Sequence, residues 1–224
     1  MLEKMHLESI NIGELETISH KQKSYATGIC KYPIAGAAYL EEAGVRGDSI
    51  ANTEHHGGID QAVYAYSADD YDWWSDEMGR DVTPGLFGEN LTIRGMPSDM
   101  NVGDRLLIGE VVLEATAPRI PCGTFATRMR DSGFGMAFCE AERPGVYFRV
   151  LNGGEVSVGN TVIYVVNESS DVSILDLFRF YYALKHDEET LRRFLDVPLA
   201  IRFRAKVEAR LASLGQTSKG QTSD

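Results

Sequence analysis

Five stretches of this 224-residue chain gather side chains able to do chemistry. The first, LEATAPRIPCGTFATRMR (113 to 130), carries Cys122 where a strand-like pattern passes through Pro118 and Pro121 into a helix-like one. Backbone N–H groups in the first turn of a helix favour an anion, and Arg119 lies just upstream. Both effects would hold the sulfur as a thiolate, fit to act as a nucleophile or to ligate a soft metal. The alternative is a small buried hydrophobe, since free cysteines are among the most buried residues. Arg128, Arg130 and, farther on, Arg149 add cations that could join an anion site or stay solvated.

EHHGGIDQAVYAYS (54 to 67) places His55, His56, Gly57 and Gly58 just before a strand, with Asp60 and Gln61 at its mouth. Paired glycines let backbone amides approach a ligand or adopt positive φ. The competing reading is a tight turn with solvated histidines. Adjacent histidines on an extended chain point to opposite sides, so this is not a zinc motif. TGICKYPIAG (27 to 36) and GVRGDS (44 to 49) supply Lys31, Arg46 and Asp48 beside glycines. They suggest an anion pocket, or else surface charges in which Arg46 pairs with Asp48. If Lys31 enters a pocket, Cys30 points the other way, into packing. PGLFGENLTIRG (84 to 95) offers Asn90, which can both donate to and accept from a heterocycle edge or close its own turn.

These segments need a scaffold of strands. Short apolar or alternating runs recur at 6–12, 26–31, 62–66, 90–93, 105–108, 111–116, 146–151 and 161–166, separated by glycine-bearing turns. That spacing predicts a mostly β fold, a β-barrel or closed sheet interrupted by helices at only two or three places, over residues 1–168. Hairpins are expected at Gly109-Glu110 and at Asn152-Gly153-Gly154. A helix should start at Ser67, with Asp70 completing a capping box, and stop at Gly79. Trp73 and Trp74 on it read as core and rim packing. Beyond residue 168 the period becomes helical, predicting a three-helix unit over 169–215: one helix in VSILDLFRFYYALKH, a second capped by Asp187, and a third with Pro198 in its first turn that ends before Gly215. So small a unit should pack on the barrel or on a partner. Residues 216–224 read as a mobile tail.

A net charge of −11 argues against a nucleic-acid polymer as partner. No segment has the length of a membrane span, and the start lacks the apolar core of a signal peptide, so a cytoplasmic protein is expected. Three widely spaced cysteines form neither a disulfide scaffold nor a zinc site.

Taken in order, HHGGIDQAVYAYS, LFGENLTIRG, VGDRLLIG, the cysteine in APRIPCGTF and GVYFRVLNGGEVSVGN resemble the MOSC domain, named for the C-terminal domain of molybdenum-cofactor sulfurases. The three-helix tail resembles the 3-alpha domain of stand-alone bacterial members of the YiiM type. The resemblance implies a distorted β-barrel with short helices, and a molybdenum cofactor (Mo-molybdopterin) ligated by Cys122, since a thiolate suits a metal already held by a pterin dithiolene. It also implies a two-electron reduction of N-hydroxylated compounds, such as 6-N-hydroxylaminopurine, to amines, with molybdenum cycling between Mo(IV) and Mo(VI). On that reading Lys31, Arg46 and Arg119 are candidates for the cofactor's phosphate. His56, Gly57, Gly58, Asp60 and Asn90 are candidates for the pterin or for proton delivery. No dinucleotide fingerprint is present, so electrons are expected from a separate flavin or iron–sulfur reductase. The tail could dock that reductase or a second subunit in a homodimer. Two rival readings are a cofactor or sulfur carrier without turnover, and a metal-free thiol enzyme pairing Cys122 with His55 or His56.

Overall fold

A computed structural model describes residues 5–51 and 57–219. In chain order its strands are β1 (His6–Ile12), β2 (Glu16–His20), β3 (Lys23–Thr27), β4 (Tyr32–Pro33), β5 (Ala37–Glu41), β6 (Gly44–Val45), β7 (Val63–Ser67), β8 (Leu91–Arg94), β9 (Arg105–Ile108), β10 (Val111–Pro118), β11 (Val146–Asn152), β12 (Gly154–Ser157) and β13 (Ile163–Val165). Its helices are α1 (Ala68–Met78), α2 (Gly123–Met129), α3 (Phe134–Ala141), α4 (Ile174–Tyr182), α5 (Glu188–Leu195) and α6 (Ile201–Lys219). The main sheet has eight strands in the order β13-β9-β10-β11-β7-β8-β1-β4, and β12-β5-β6 and β2-β3 form smaller sheets.

The mostly β class and the C-terminal helical unit agree with the sequence, but the barrel does not close. The first residues of β1 meet the chain before β13 only through an isolated bridge, His6 to Thr161, and a few bonds such as Leu7 N–H to the Asn160 carbonyl at 2.9 Å. Residues 158–159 there form a turn, so no continuous ladder can propagate across the gap. The hairpin at Gly109-Glu110 is present, with Val111 opposite Ile108. The one expected at Asn152-Gly153-Gly154 is not: β12 leaves β11 and pairs antiparallel with β5, Gly154 opposite Leu40. A Cβ on Gly153 would stand 2.6 Å from the Leu40 carbonyl oxygen, so the chain passes too close to β5 for any larger residue.

Ser67 caps α1 by accepting from the Asp69 N–H. Asp70 completes no box, because Arg143 takes its carboxylate instead. Trp74 is buried, its indole N–H 2.7 Å from the Tyr66 hydroxyl, while Trp73 lies at the rim under the Arg143 guanidinium. Helices α1 to α3 close over an aromatic cluster that includes Tyr66, Trp74, Phe87, Phe125 and Phe138. Asp187 caps α5 as expected, its carboxylate accepting from Thr190 N–H at 2.7 Å. The last helix differs at both ends: it begins at Ile201 rather than near Pro198 and continues through Gly215 to Lys219. The end of the expected tail, 220–224, lies outside the described residues.

The helical unit is not a separate body. Ile174, Leu177, Leu191, Phe194, Phe203 and Val207 join one aliphatic core with the sheet, α4 packing on β10 and α5 on α6, so the helices cover their apolar faces within that core rather than in solvent.

Candidate functional site

Strand register assembles the site. Tyr147 on β11 stands opposite both Tyr64 on β7 and Ala117 on β10, and the Asn90 N–H bonds the Tyr64 carbonyl at 2.8 Å. Three adjacent strands therefore bring Tyr64, Tyr147 and Asn90 into one row, with Arg119 just past the end of β10. Three residues later Cys122 is the N-cap of α2, in extended conformation, its carbonyl accepting the first helical bond from Ala126 N–H at 3.1 Å. The thiol is half-buried and lines two spaces. One is a cavity of about 150 Å³ shared with Lys31, Asp48, Asn90, Arg119 and Tyr147. The other is a groove of about 370 Å³ shared with Ile120, Tyr181, Phe203 and Lys206.

Arg119 is the cavity's distinctive charge. Only 6% exposed, its guanidinium lies 4.6 Å from the Phe125 ring centroid and 5.3 Å from that of Tyr64, and it interacts with both Cys122 and Tyr147. Among the described residues it enters no salt bridge, and its Nε has no hydrogen-bond partner. Buried charges are ordinarily paired, and a buried donor left unsatisfied costs about 1–3 kcal/mol. A cation held at that cost beside a cavity suits an anionic ligand.

Lys31 is the opposite case. Its ammonium bonds both carboxylate oxygens of Asp48, which also accept from Gly13 N–H at 2.9 Å and Asn90 Nδ2 at 3.0 Å. Burial pulls the Lys31 pKa below the ordinary lysine range, with Asp48 opposing. Since Asp48 balances that lysine, the wall they form carries little net charge. Behind it lies Glu89, wholly buried, its Oε1 accepting from Gly85 N–H at 2.6 Å, the Tyr71 hydroxyl at 2.7 Å and the Thr92 hydroxyl at 2.9 Å, while Oε2 has no partner. Burial raises its pKa above the ordinary carboxylate value, and the bonds from Gly85 and Tyr71 oppose that.

Of the residues singled out from the sequence, Cys122, Lys31, Asn90, Arg119 and Gly57 share the cavity. Gly57 (φ +67°) and Gly58 (φ +86°) both take the positive φ that a glycine pair allows. Gly58 lines a neighbouring recess rather than the cavity. His55 and His56 lie outside the described residues. Arg46 is away from the cavity, exposed, paired with Glu41 at 3.0 Å and stacked over Tyr39 at 4.3 Å. The expected Arg46–Asp48 pair does not form, because the strand end aims Lys31 at Asp48. Asp60 is likewise outside the cavity: its carboxylate accepts from Ile201 N–H at 2.7 Å and pairs with Arg149 at 2.9 Å, so it caps α6 and ties the helical unit to the sheet. Cys30 points into packing, its thiol pushed up to about 11 chiefly by burial. Cys139 is half-buried on α3 and hydrogen-bonds Tyr182.

Sequence reasoning missed Tyr64, Tyr147 and Glu89. The alternation in VYAYS puts Tyr64 and Tyr66 together on one face of β7, and that in VYFRV puts Tyr147 on the face opposite Val146 and Phe148, which is the signal that could have found the first two.

Comparison with known proteins follows the same division of the chain. Residues 52–163 match the family described as "MOSC domain", and residues 172–214 match "YiiM-like, 3-alpha helix domain". The chain is 31% identical over 190 residues to the uncharacterized protein YflK of Bacillus subtilis, covering 84% of this chain and 85% of that one. It is 29% identical over 197 residues to a protein of Gibberella moniliformis named "Reductase", a match covering 85% of this chain and 35% of that protein. Its structure superimposes on the crystal structure of YiiM from Geobacillus stearothermophilus with a TM-score of 0.76 and 26% identity, covering 92% and 99% of the two chains.

Proposed function

The chain belongs to the MOSC domain family, as a YiiM-like member with the 3-alpha helix domain, and from that premise we propose that it is a molybdenum-cofactor-dependent reductase of N-hydroxylated compounds, such as 6-N-hydroxylaminopurine, with Cys122 as the protein ligand to molybdenum. Family membership itself carries the coarser statement, a function associated with the molybdenum cofactor.

The observation that carries the finer reading is the pairing, at one cavity, of a half-exposed sulfur with a buried guanidinium that has unused hydrogen-bonding capacity. The residues fit such a group: Cys122 offers a soft sulfur donor, Arg119 a fixed charge for an anionic part, and Gly57 a close backbone approach. When bound, the cofactor supplies the two electrons that cleave the N–O bond. The overall change is R–NHOH plus two electrons and two protons to R–NH₂ and water. The chain's part is to hold and orient. Cys122 would fix the metal between cavity and groove, and Tyr64, Phe125 and Tyr147 exclude water from the Arg119 side, strengthening its charge. The electrons come from a separate reductase. The relative named "Reductase", in which the matching stretch is 35% of the protein, supports redox chemistry for this fold unit.

Elemental analysis of protein made in a cofactor-competent host, with reduction of 6-N-hydroxylaminopurine by an added electron donor, tests the proposal. Molybdenum should be bound and turnover observed. Cys122→Ser should abolish turnover, whereas Cys139→Ser should leave it near wild type. Bound molybdenum without turnover would favour a carrier. Turnover by protein from a host unable to make the cofactor would favour a metal-free thiol enzyme and sink the proposal.

A further inference from the structure

The groove on the other side of Cys122 has features that a bare purine does not need. Its volume of about 370 Å³ falls in the roughly 300–1,000 Å³ range of sites for drug-sized ligands, more than a bicyclic ring fills. Pro118, Ile120, Pro121 and Phe203 give it apolar lining. At its far end the Lys206 ammonium stands 4.0 Å over the Tyr181 ring, and both residues continue into an adjoining groove lined by Arg210. Lys206 and Arg210 lie one turn apart on α6, both exposed, and neither enters a salt bridge among the described residues. Two like charges at that spacing weaken a helix. On a chain of net charge −11, such a pair makes this rim a local place where an anion is attracted rather than repelled.

We propose that the groove between Cys122 and α6 is a nucleotide subsite, so that the N-hydroxylated substrate is taken as its 5′-phosphate, with the base lying toward Cys122, the ring or ribose against Tyr181 and the phosphate on Lys206 and Arg210. This rests on the reductase reading for its chemistry but not for its binding. The phosphate contacts lie on the C-terminal helical unit and the redox contact at the passage from β10 to α2, so the two ends of the substrate are read by different parts of the chain. Substrate specificity accordingly resides in α6 and the end of α4.

Binding to the cofactor-free protein separates this proposal from the redox one. Isothermal titration calorimetry with adenosine 5′-monophosphate, the product form, should show affinity about tenfold above that for adenosine at low salt, as expected for one charge-assisted contact. Lys206→Ala should erase most of that preference, Lys206→Arg should retain it, and neither should change adenosine binding. In the loaded enzyme Lys206→Ala should raise KM for the phosphorylated substrate and leave kcat unchanged. Equal affinity for nucleotide and nucleoside would overturn the proposal. So would monophosphate binding that is lost in Arg119→Gln but unchanged in Lys206→Ala, since the phosphate would then occupy the inner cavity. Nucleotide binding in a protein that reduces nothing would leave this subsite standing and remove the reductase reading.

Discussion

Two lysines line the spaces on either side of Cys122, and the fold treats them in opposite ways. Lys31 is 6% exposed, clamped by both oxygens of Asp48 and braced through Asn90, so its charge is balanced inside the protein. Lys206 is exposed on α6, resting on the Tyr181 ring with no carboxylate in salt-bridge reach among the described residues. The first builds a wall and the second can serve a ligand. The contrast arises because Lys31 sits where four loops and strands converge, whereas Lys206 is presented by one surface helix. Residue type alone says nothing of this difference; burial and partner decide it.

Substitution tests the contrast directly. The largest effect on stability should come from Lys31→Ala, which strands the buried Asp48 carboxylate with only the Gly13 and Asn90 donors. Removing one partner of a buried pair costs about 3–5 kcal/mol, and the remaining donors place this case near about 3 kcal/mol in urea unfolding. Glu89→Gln should have a smaller effect with a distinctive pH dependence. Because burial raises the folded-state pKa of Glu89, the native state holds the proton more tightly than the unfolded chain. Its favourable contribution is therefore fully present below the unfolded carboxylate pKa and is lost as pH rises through the folded value. Melting temperatures should show wild type gaining on Glu89→Gln as pH falls from 7 to 4, and the opposite trend would mean that the buried carboxylate is charged. Smallest of all, Lys206→Ala should shift stability by no more than about 0.5 kcal/mol, as exposed substitutions usually do. If it proved as costly as Lys31→Ala, the distinction between wall and ligand-facing lysine would collapse.

Much of the scaffold was legible because its signals are local. The alternation of β1, the turn at Gly109-Glu110, the Asp187 cap and the change of period beyond residue 168 each depend on residues a few positions apart. So does Cys122 at the head of a helix, placed there by two prolines and a glycine. Elements decided by distant partners were not legible. Strand β12 follows a glycine turn that reads as a hairpin, yet its partner β5 lies more than a hundred residues earlier. Asp60 reads as a polar group at a strand mouth, yet it caps a helix beginning at Ile201.

The amino-acid order by itself determined that most strands of the main sheet are extended, that helices start after Ser67, Cys122 and Asp187, and that one cysteine follows a cation at a strand-to-helix passage, because backbone preferences and capping act over a few residues. Only the tertiary structure decided that Lys31 belongs to Asp48, that Arg119 keeps an uncommitted charge, that the sheet stays open and that Lys206 faces the groove. Those outcomes depend on which groups become neighbours once water is excluded, and a charge acquires its role only when its distance to every other charge is set.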